Sequence, residues 1–141
     1  MAIRVKDEHL DRIRKHGEQT YPHECCGFLL GANDNGVNLL REVYPAENER
    51  QDSRHNRYLI TPEQWKRADD YARSQGLGII GYYHSHPDHP AAPSGYDLDH
   101  SCWPGESYII VSVEQGKAAA LNSFTKPDYT KFEQEEIIVE Q

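Results

Sequence analysis

Side chains that can bind a metal are concentrated between residues 84 and 97. His84 and His86 stand two residues apart at the end of the apolar run GLGIIGYYH, which is typical of a buried central strand. Successive side chains of a strand point to opposite faces, so both imidazoles project from the same face and can converge on one ion. Pro87 then ends the strand. The pair therefore predicts a metal site where this strand runs out into a loop.

A third ligand is available a short way along the chain. Seven residues separate His86 from Ser94, and Asp97 follows three residues after the serine. This pattern is typical of a helix whose N-cap is serine and whose first turn carries an acidic residue, so it predicts a helix that starts beside the metal. Two imidazole nitrogens and the Asp97 carboxylate would leave a fourth tetrahedral position open, as in catalytic zinc sites.

Zinc suits this ligand set, because it accepts imidazole and carboxylate ligands and lowers the pKa of bound water to near 7. Hydrolysis also needs a general base that does not ligate the metal. Glu24, at the start of the apolar run CGFLLG, is the candidate. The Ser94 hydroxyl, close in sequence to the ligands, can donate a hydrogen bond to an oxyanion.

Taken together, these residues resemble the motif of the JAMM (MPN-plus) metalloproteases. That motif is a distant Glu, then His-Ser-His, seven residues, Ser, two residues and Asp, and every position matches. The resemblance covers nearly the whole chain, because PAEN, YLITPEQ and WPGESYIIVSV are also similar to segments of that family. The short chain looks like the stand-alone prokaryotic branch.

The resemblance implies a single deaminase-like JAMM/MPN domain over residues 1–141. It implies one catalytic Zn²⁺ held by His84, His86 and Asp97, with Glu24 as acid and base and Ser94 at the oxyanion. It selects Glu24 from the 13 glutamates of the chain. The implied activity is that of a peptidase or isopeptidase.

The implied substrate is the amide bond after the C-terminal Gly-Gly of a ubiquitin-like or β-grasp sulfur-carrier protein, with release of cysteine or another C-terminal residue. A glycine-rich tail can lie extended along a sheet edge and pass a slot that larger side chains would block. The residues that bind the body of the carrier stay unknown. Whether the chain forms a homodimer is left open.

The elements around these motifs predict an α/β (α+β) fold with one mixed sheet and about three helices. The helices are predicted at about 7–20, at 62–75 after the N-cap Thr61, and after Ser94. The strands are predicted in CGFLLG, VNLLREVYP, YLIT, GLGIIGYYH, SYIIVSVE, KAAALNSF and the C-terminal IIVE.

Composition narrows the classes of partner. The chain has 141 residues, which is a common length for one domain, and a net charge of −8, which argues against nucleic acid and anionic membranes. The first residues carry charges where a signal peptide needs an apolar stretch, so a cytoplasmic location is predicted. Three cysteines, two of them adjacent, favour reduced thiols.

Other interpretations of the same residues remain open. Cys25 or Cys26 with His23 would make a cysteine nucleophile with a nearby base. His100, three residues after Asp97, would close the site and make the zinc structural if it filled the fourth position. A non-catalytic MPN-type scaffold that binds a protein partner is a further alternative. A related group of DNA-repair-associated proteins carries a similar pattern, but the acidic charge disfavours it.

Overall fold

The structure, a computed structural model, describes residues 2–48, 60–94, 105–128 and 131–140. Within these ranges the chain forms seven strands and two helices, which confirms the predicted α+β class. The third helix was predicted to begin after Ser94, and residues 95–104 lie outside the described ranges. The elements are β1 Ala2–Lys6, α1 Asp7–Thr20, β2 Cys26–Asp34, β3 Val37–Ala46, α2 Pro62–Ser74, β4 Gly78–Pro87, β5 Ser107–Glu114, β6 Lys117–Asp128 and β7 Lys131–Glu140.

The strands form one mixed sheet that closes on itself in the order β1-β3-β2-β4-β5-β6-β7, with β7 paired back to β1. The histidine-bearing strand β4 lies between β2, its antiparallel neighbour, and β5, its parallel neighbour. Both flanking strands are largely buried. This central place holds the backbone of β4 by hydrogen bonds on both sides, as a site that needs two fixed imidazoles requires.

Each described helix begins where the sequence predicts, although the two caps differ. The Thr61 side chain accepts a hydrogen bond from the Gln64 amide at 3.2 Å, and the Thr61 amide donates back to the Gln64 side chain at 3.0 Å. In α1 the cap residue is Lys6, whose amide donates to Nδ1 of His9 at 3.0 Å. Neither described helix is long and apolar enough to cross a membrane.

One predicted strand is wrong in the part that the structure describes. Ile60 and Thr61 of YLIT are not in a strand, while residues 58 and 59 lie outside the described ranges. Thr61 is extended, with φ −81° and ψ 157°, because it is the N-cap of α2 and precedes a proline. The backbone of Thr61 is thus extended, but among the described residues Ile60 and Thr61 are not paired in the sheet.

Two of the three apolar clusters of the described residues pack a helix against the sheet. The larger includes Leu10 and Ile13 of α1 and Tyr83 of β4. The smaller contains Ala68 and Ala72 of α2, packed against the sheet with Phe28. Because strand side chains alternate, Tyr83 and Ser85 face the α1 cluster, whereas Tyr82, His84 and His86 face the side of the sheet that α2 covers. The two histidines thus lie apart from the main core.

Candidate metal and catalytic site

The structure brings His84 and His86 together at the end of β4, as the alternation of strand side chains predicts. Their Nε2 atoms are 3.1 Å apart, and the two rings are inclined by 56°. Both side chains are buried, at 3% and 7% exposure. Two ring nitrogens therefore converge on one point that is shielded from bulk water.

A backbone carbonyl orients the second of these rings. Nδ1 of His86 lies 2.8 Å from the carbonyl oxygen of Pro90. A carbonyl oxygen only accepts, so Nδ1 carries the hydrogen and donates it. In the neutral ring the lone pair is then on Nε2, the atom that faces His84. This is the tautomer that a metal-ligating histidine needs, fixed by the type of contact that commonly supports metal sites.

The geometry of the pair fits zinc. Two nitrogen ligands on one tetrahedral ion, each about 2.0–2.1 Å from it, lie about 3.3 Å apart. The observed separation of 3.1 Å needs little adjustment to reach that value. Within residues 2–48, 60–94, 105–128 and 131–140, no three metal-binding side chains come together. The predicted third ligand, Asp97, lies outside those ranges, so its role stays a prediction.

Glu24 is buried, with 4% exposure, beside the start of β2. Strand β2 pairs with β4 so that Cys26 is opposite His84. Extending this antiparallel register by two residues brings Glu24 level with His86 and on the same face. Asn48 also holds the segment, because its side-chain amide donates to the Glu24 carbonyl at 3.1 Å. A carboxylate in this place suits the base predicted from the sequence.

Ser85, between the two histidines, fixes this alignment from the opposite face. Its Oγ accepts the Cys25 amide hydrogen at 2.8 Å, and its own amide donates to the Cys25 carbonyl at 3.2 Å. The Ser85 side chain is fully buried. Two hydrogen bonds therefore join the segment that carries Glu24 to the strand that carries the histidines.

Three further histidine and serine residues are considered for the site. Ser94 is exposed at the end of a described range, and its role at the oxyanion stays a prediction. His100, the proposed fourth ligand of a structural site, lies outside the described residues. His89, three residues after His86, is exposed.

The structure argues against a cysteine nucleophile. Cys25 and Cys26 are 1% and 0% exposed, whereas His23 is exposed. Burial raises the pKa of the Cys25 thiol to about 12. Because the thiolate is the nucleophilic form, a thiol that stays protonated at neutral pH does not attack a carbonyl.

Some of the supporting contacts could not be read from the sequence. The Pro90 carbonyl and the Asn48 amide support His86 and Glu24, but no spacing rule points to them. Ser85 lies in the His-Ser-His motif, but the motif itself assigns it no role. Its signal was its place between two residues that share one face, because the side chain must then point to the opposite, buried face.

The sequence of this chain is similar to those of known proteins. A family model described as prokaryotic homologs of the JAB domain matches residues 6–125. A desampylase from Haloferax volcanii is 30% identical over 114 residues, which cover 81% of this chain and 80% of that protein. A probable TtuB-protein conjugate cleaving protease from Thermus thermophilus is 29% identical over 112 residues, covering 79% of this chain and 71% of the relative.

The fold has a solved counterpart as well. The crystal structure of a JAB1/MPN domain protein from Archaeoglobus fulgidus superposes with a TM-score of 0.59 at 19% identity. The match covers 98% of this chain and 99% of that chain. At this level of identity the likeness concerns the fold alone.

Proposed function

Because this chain belongs to the family of prokaryotic JAB-domain proteins, we propose that it is a zinc-dependent peptidase or isopeptidase. Its substrate would be the amide bond after the C-terminal Gly-Gly of a ubiquitin-like or sulfur-carrier protein. The observation that carries the proposal is the pair of Nε2 atoms of the buried residues His84 and His86, 3.1 Å apart. The register of β2 and β4, extended by two residues, brings the buried residue Glu24 opposite His86. The relatives support the class of reaction, since one is a desampylase and another is named for cleaving protein conjugates.

His84, His86 and the predicted ligand Asp97 would hold the metal. Zinc bound there supplies a Lewis acid that polarises a carbonyl and lowers the pKa of water. Glu24 takes one proton from the attacking water and returns it to the leaving nitrogen. The hydroxyl oxygen of the water becomes bonded to the glycine carbonyl carbon, and the C–N bond breaks. The immediate products are a terminal glycine carboxylic acid and an amine, and transfer of the acid proton to the amine gives the carboxylate and the ammonium group.

The surroundings of Glu24 suit this shuttle role. A general base must be within hydrogen-bond reach of the proton that it moves, directly or through one water molecule. The contacts of Ser85 with Cys25, and of Asn48 with the Glu24 carbonyl, fix the backbone of the segment. The backbone from which the Glu24 carboxylate extends is thus held beside the strand that carries the two histidines. Ser94 would donate to the developing oxyanion.

Metal content and cleavage measured on the same protein samples test the proposal. The substrate is a β-grasp carrier with one additional residue after Gly-Gly. We expect about one zinc per chain and release of that residue by the wild type. Glu24→Gln should keep zinc and lose cleavage by about 10²-fold or more, as removal of a general base does. His84→Ala and His86→Ala should lose zinc and cleavage together.

The matched control is His89→Ala, which removes an exposed histidine three residues from the pair and should leave both readouts unchanged. Cleavage by Glu24→Gln at the wild-type rate would show that another group is the base. Normal zinc content with no cleavage of any carrier would favour a non-catalytic scaffold. Zinc retained in both histidine variants would refute the ligand assignment.

A further inference from the structure

We propose that Asp88 is a positioning residue that holds the Pro90 carbonyl against Nδ1 of His86. The inference rests on the proposed function, since it assigns a support to a ligand of the proposed metal. Asp88 is an exposed residue just after β4, and it belongs to no part of the metal-binding motif. What makes it notable is the number of elements that meet at its backbone and carboxylate.

The backbone of Asp88 has an unusual conformation. Its φ is +57°, in the left-handed region that residues other than glycine seldom adopt, although aspartate is among the more tolerant. Its amide donates to the Val113 carbonyl at 2.8 Å, at the end of β5. The chain therefore turns directly after β4, and the hydrogen bond to Val113 keeps the turn beside β5.

Both oxygens of the Asp88 carboxylate have donors from other elements. Oδ2 accepts from the Tyr21 hydroxyl at 2.6 Å, just after α1. Oδ1 accepts from the Gln115 amide at 2.8 Å, in the turn between β5 and β6. We call this arrangement of Tyr21, Asp88 and Gln115 the Asp88 clamp. It joins the end of α1, the exit of β4 and the β5–β6 turn at one side chain.

Side chains of β5 and β6 hold the backbone of the residues that follow Asp88. The Ser112 hydroxyl donates to the His89 carbonyl at 2.7 Å, and the Asn122 side chain donates to the Ala91 carbonyl at 3.0 Å. Ala91 itself is buried beside Ile110. Pro90 thus lies between two carbonyls that are held by side chains of β5 and β6, and the Asp88 clamp holds the residue at which this turn begins.

The consequence is chemical, because the Pro90 contact selects the tautomer of His86. When the turn has this conformation, Nδ1–H of His86 donates to the Pro90 carbonyl, and the lone pair on Nε2 of His86 points toward His84. Supports of this kind typically change metal affinity by about 10–100-fold when they are removed. The Asp88 clamp acts on His86 indirectly, through Pro90. We therefore expect loss of the clamp to weaken zinc binding by about 10-fold without abolishing it.

The test compares Asp88→Ala with Asp34→Ala, an exposed aspartate in the β2–β3 hairpin. Two quantities are measured on each protein. One is the zinc dissociation constant, by competition with a chelator. The other is the His86 tautomer in metal-free protein at pH 8, from ring ¹⁵N chemical shifts. Asp88→Ala should weaken zinc binding about 10-fold and mix the two His86 tautomers, while Asp34→Ala should match the wild type.

Tyr21→Phe provides a second, milder variant, since it removes one of the two donors to the carboxylate and leaves Gln115 in place. It should shift both readouts in the same direction by less. Wild-type zinc affinity together with an unmixed His86 tautomer in Asp88→Ala would overturn the inference. If the wild type binds no zinc, the proposed function fails, and the tautomer alone decides about Asp88. Zinc binding without cleavage would leave the Asp88 result valid by itself.

Discussion

Among single residues, Ser85 combines a structural and a catalytic consequence. Ser85→Ala removes the acceptor for the Cys25 amide, which is buried. A buried donor without a partner costs about 1–3 kcal/mol, so the free energy of unfolding should fall by that amount. Because the same contact holds the Glu24 segment, kcat should fall more than KM rises. Urea unfolding and steady-state kinetics measure the two effects.

Ser74→Ala is the matched control for this change, because Ser74 is exposed near the end of α2. Its loss should alter stability by less than about 0.5 kcal/mol and leave kcat unchanged. A Ser85→Ala protein with normal kcat would show that Glu24 does not depend on the contact with Ser85.

A second prediction at the residue scale concerns pH. Burial raises the pKa of Glu106 from 4.5 to about 7, and among the described residues its Oε1 has no hydrogen-bond partner. The folded protein then binds this proton more tightly than the unfolded chain does, so this group makes stability fall as pH rises from about 4.5 to about 7. Glu106→Gln should remove that slope.

Thermal unfolding at several pH values tests this directly. Glu106→Gln should gain Tm relative to the wild type above pH 7 and show a much smaller difference near pH 4.5. Glu114→Gln changes an exposed glutamate at the far end of β5, the strand that Glu106 directly precedes, and its Tm should follow the wild-type dependence on pH. A constant difference between Glu106→Gln and the wild type at all pH values would contradict the assignment.

The residue scale also shows how far sequence reasoning reaches. The spacing of His84 and His86 was sufficient to predict their convergence, because strand alternation is a property of local backbone geometry. The contact of His86 with Pro90 was beyond reach, since any residue supplies a backbone carbonyl and only the path of the turn decides which one is near. For the same reason Asp88 had no signal of its own.

Among the elements, β4 depends on close backbone contact with β5. A Cβ atom built on Gly81 would collide with the Ser107 backbone carbonyl, which cannot move without breaking the pairing of the two strands. Gly81→Ala should therefore destabilise the protein by about 1–3 kcal/mol or more. Because β4 carries the histidines, zinc affinity should fall as well. Chemical unfolding and chelator competition measure both.

Gly78 offers a control on the same strand. A Cβ atom there would have open space, and its φ lies outside the left-handed region. Gly78→Ala should be neutral, or stabilising by about 0.4–1 kcal/mol through the lower entropy of the unfolded chain. Equal destabilisation by both substitutions would show that loss of glycine itself, and not the contact with Ser107, is responsible.

Local signals predicted most elements and missed one. The Thr61–Gln64 capping box and the run GLGIIGYYH were sufficient for α2 and β4, because caps and apolar runs are local features. The strand β1 was not predicted. It has five residues, and what makes it a strand is pairing with β3 and β7, which are distant in sequence. A short segment whose partners are remote leaves little trace in composition.

At the scale of the whole molecule, metal removal should leave the fold intact. The main apolar cluster lies between α1 and the sheet and contains neither His84 nor His86. A catalytic metal adds stability by mass action alone, about 2.7 kcal/mol at a free zinc concentration 100 times the dissociation constant. A chelator should therefore lower Tm while the far-UV circular dichroism spectrum at 25 °C stays unchanged, and added zinc should restore Tm.

His84→Ala is the control for that experiment, because its Tm should not respond to the chelator. Loss of the far-UV spectrum on chelation would instead identify a structural zinc domain, in which metal binding drives folding. Closure of the sheet was not predictable from the sequence. It depends on the pairing of the first strand with the last, and no local pattern records that pairing.

That pairing has a mechanical consequence. Strands β1 and β7 run parallel and share five register pairs, from Ala2 with Glu136 to Lys6 with Glu140. Tension applied between residue 2 and residue 140 would act along both strands in opposite directions and load all five pairs together, in shear. An antiparallel hairpin pulled from its two open ends separates pair by pair. Force applied between these two residues would therefore have to break all five pairs at once before the strands separate.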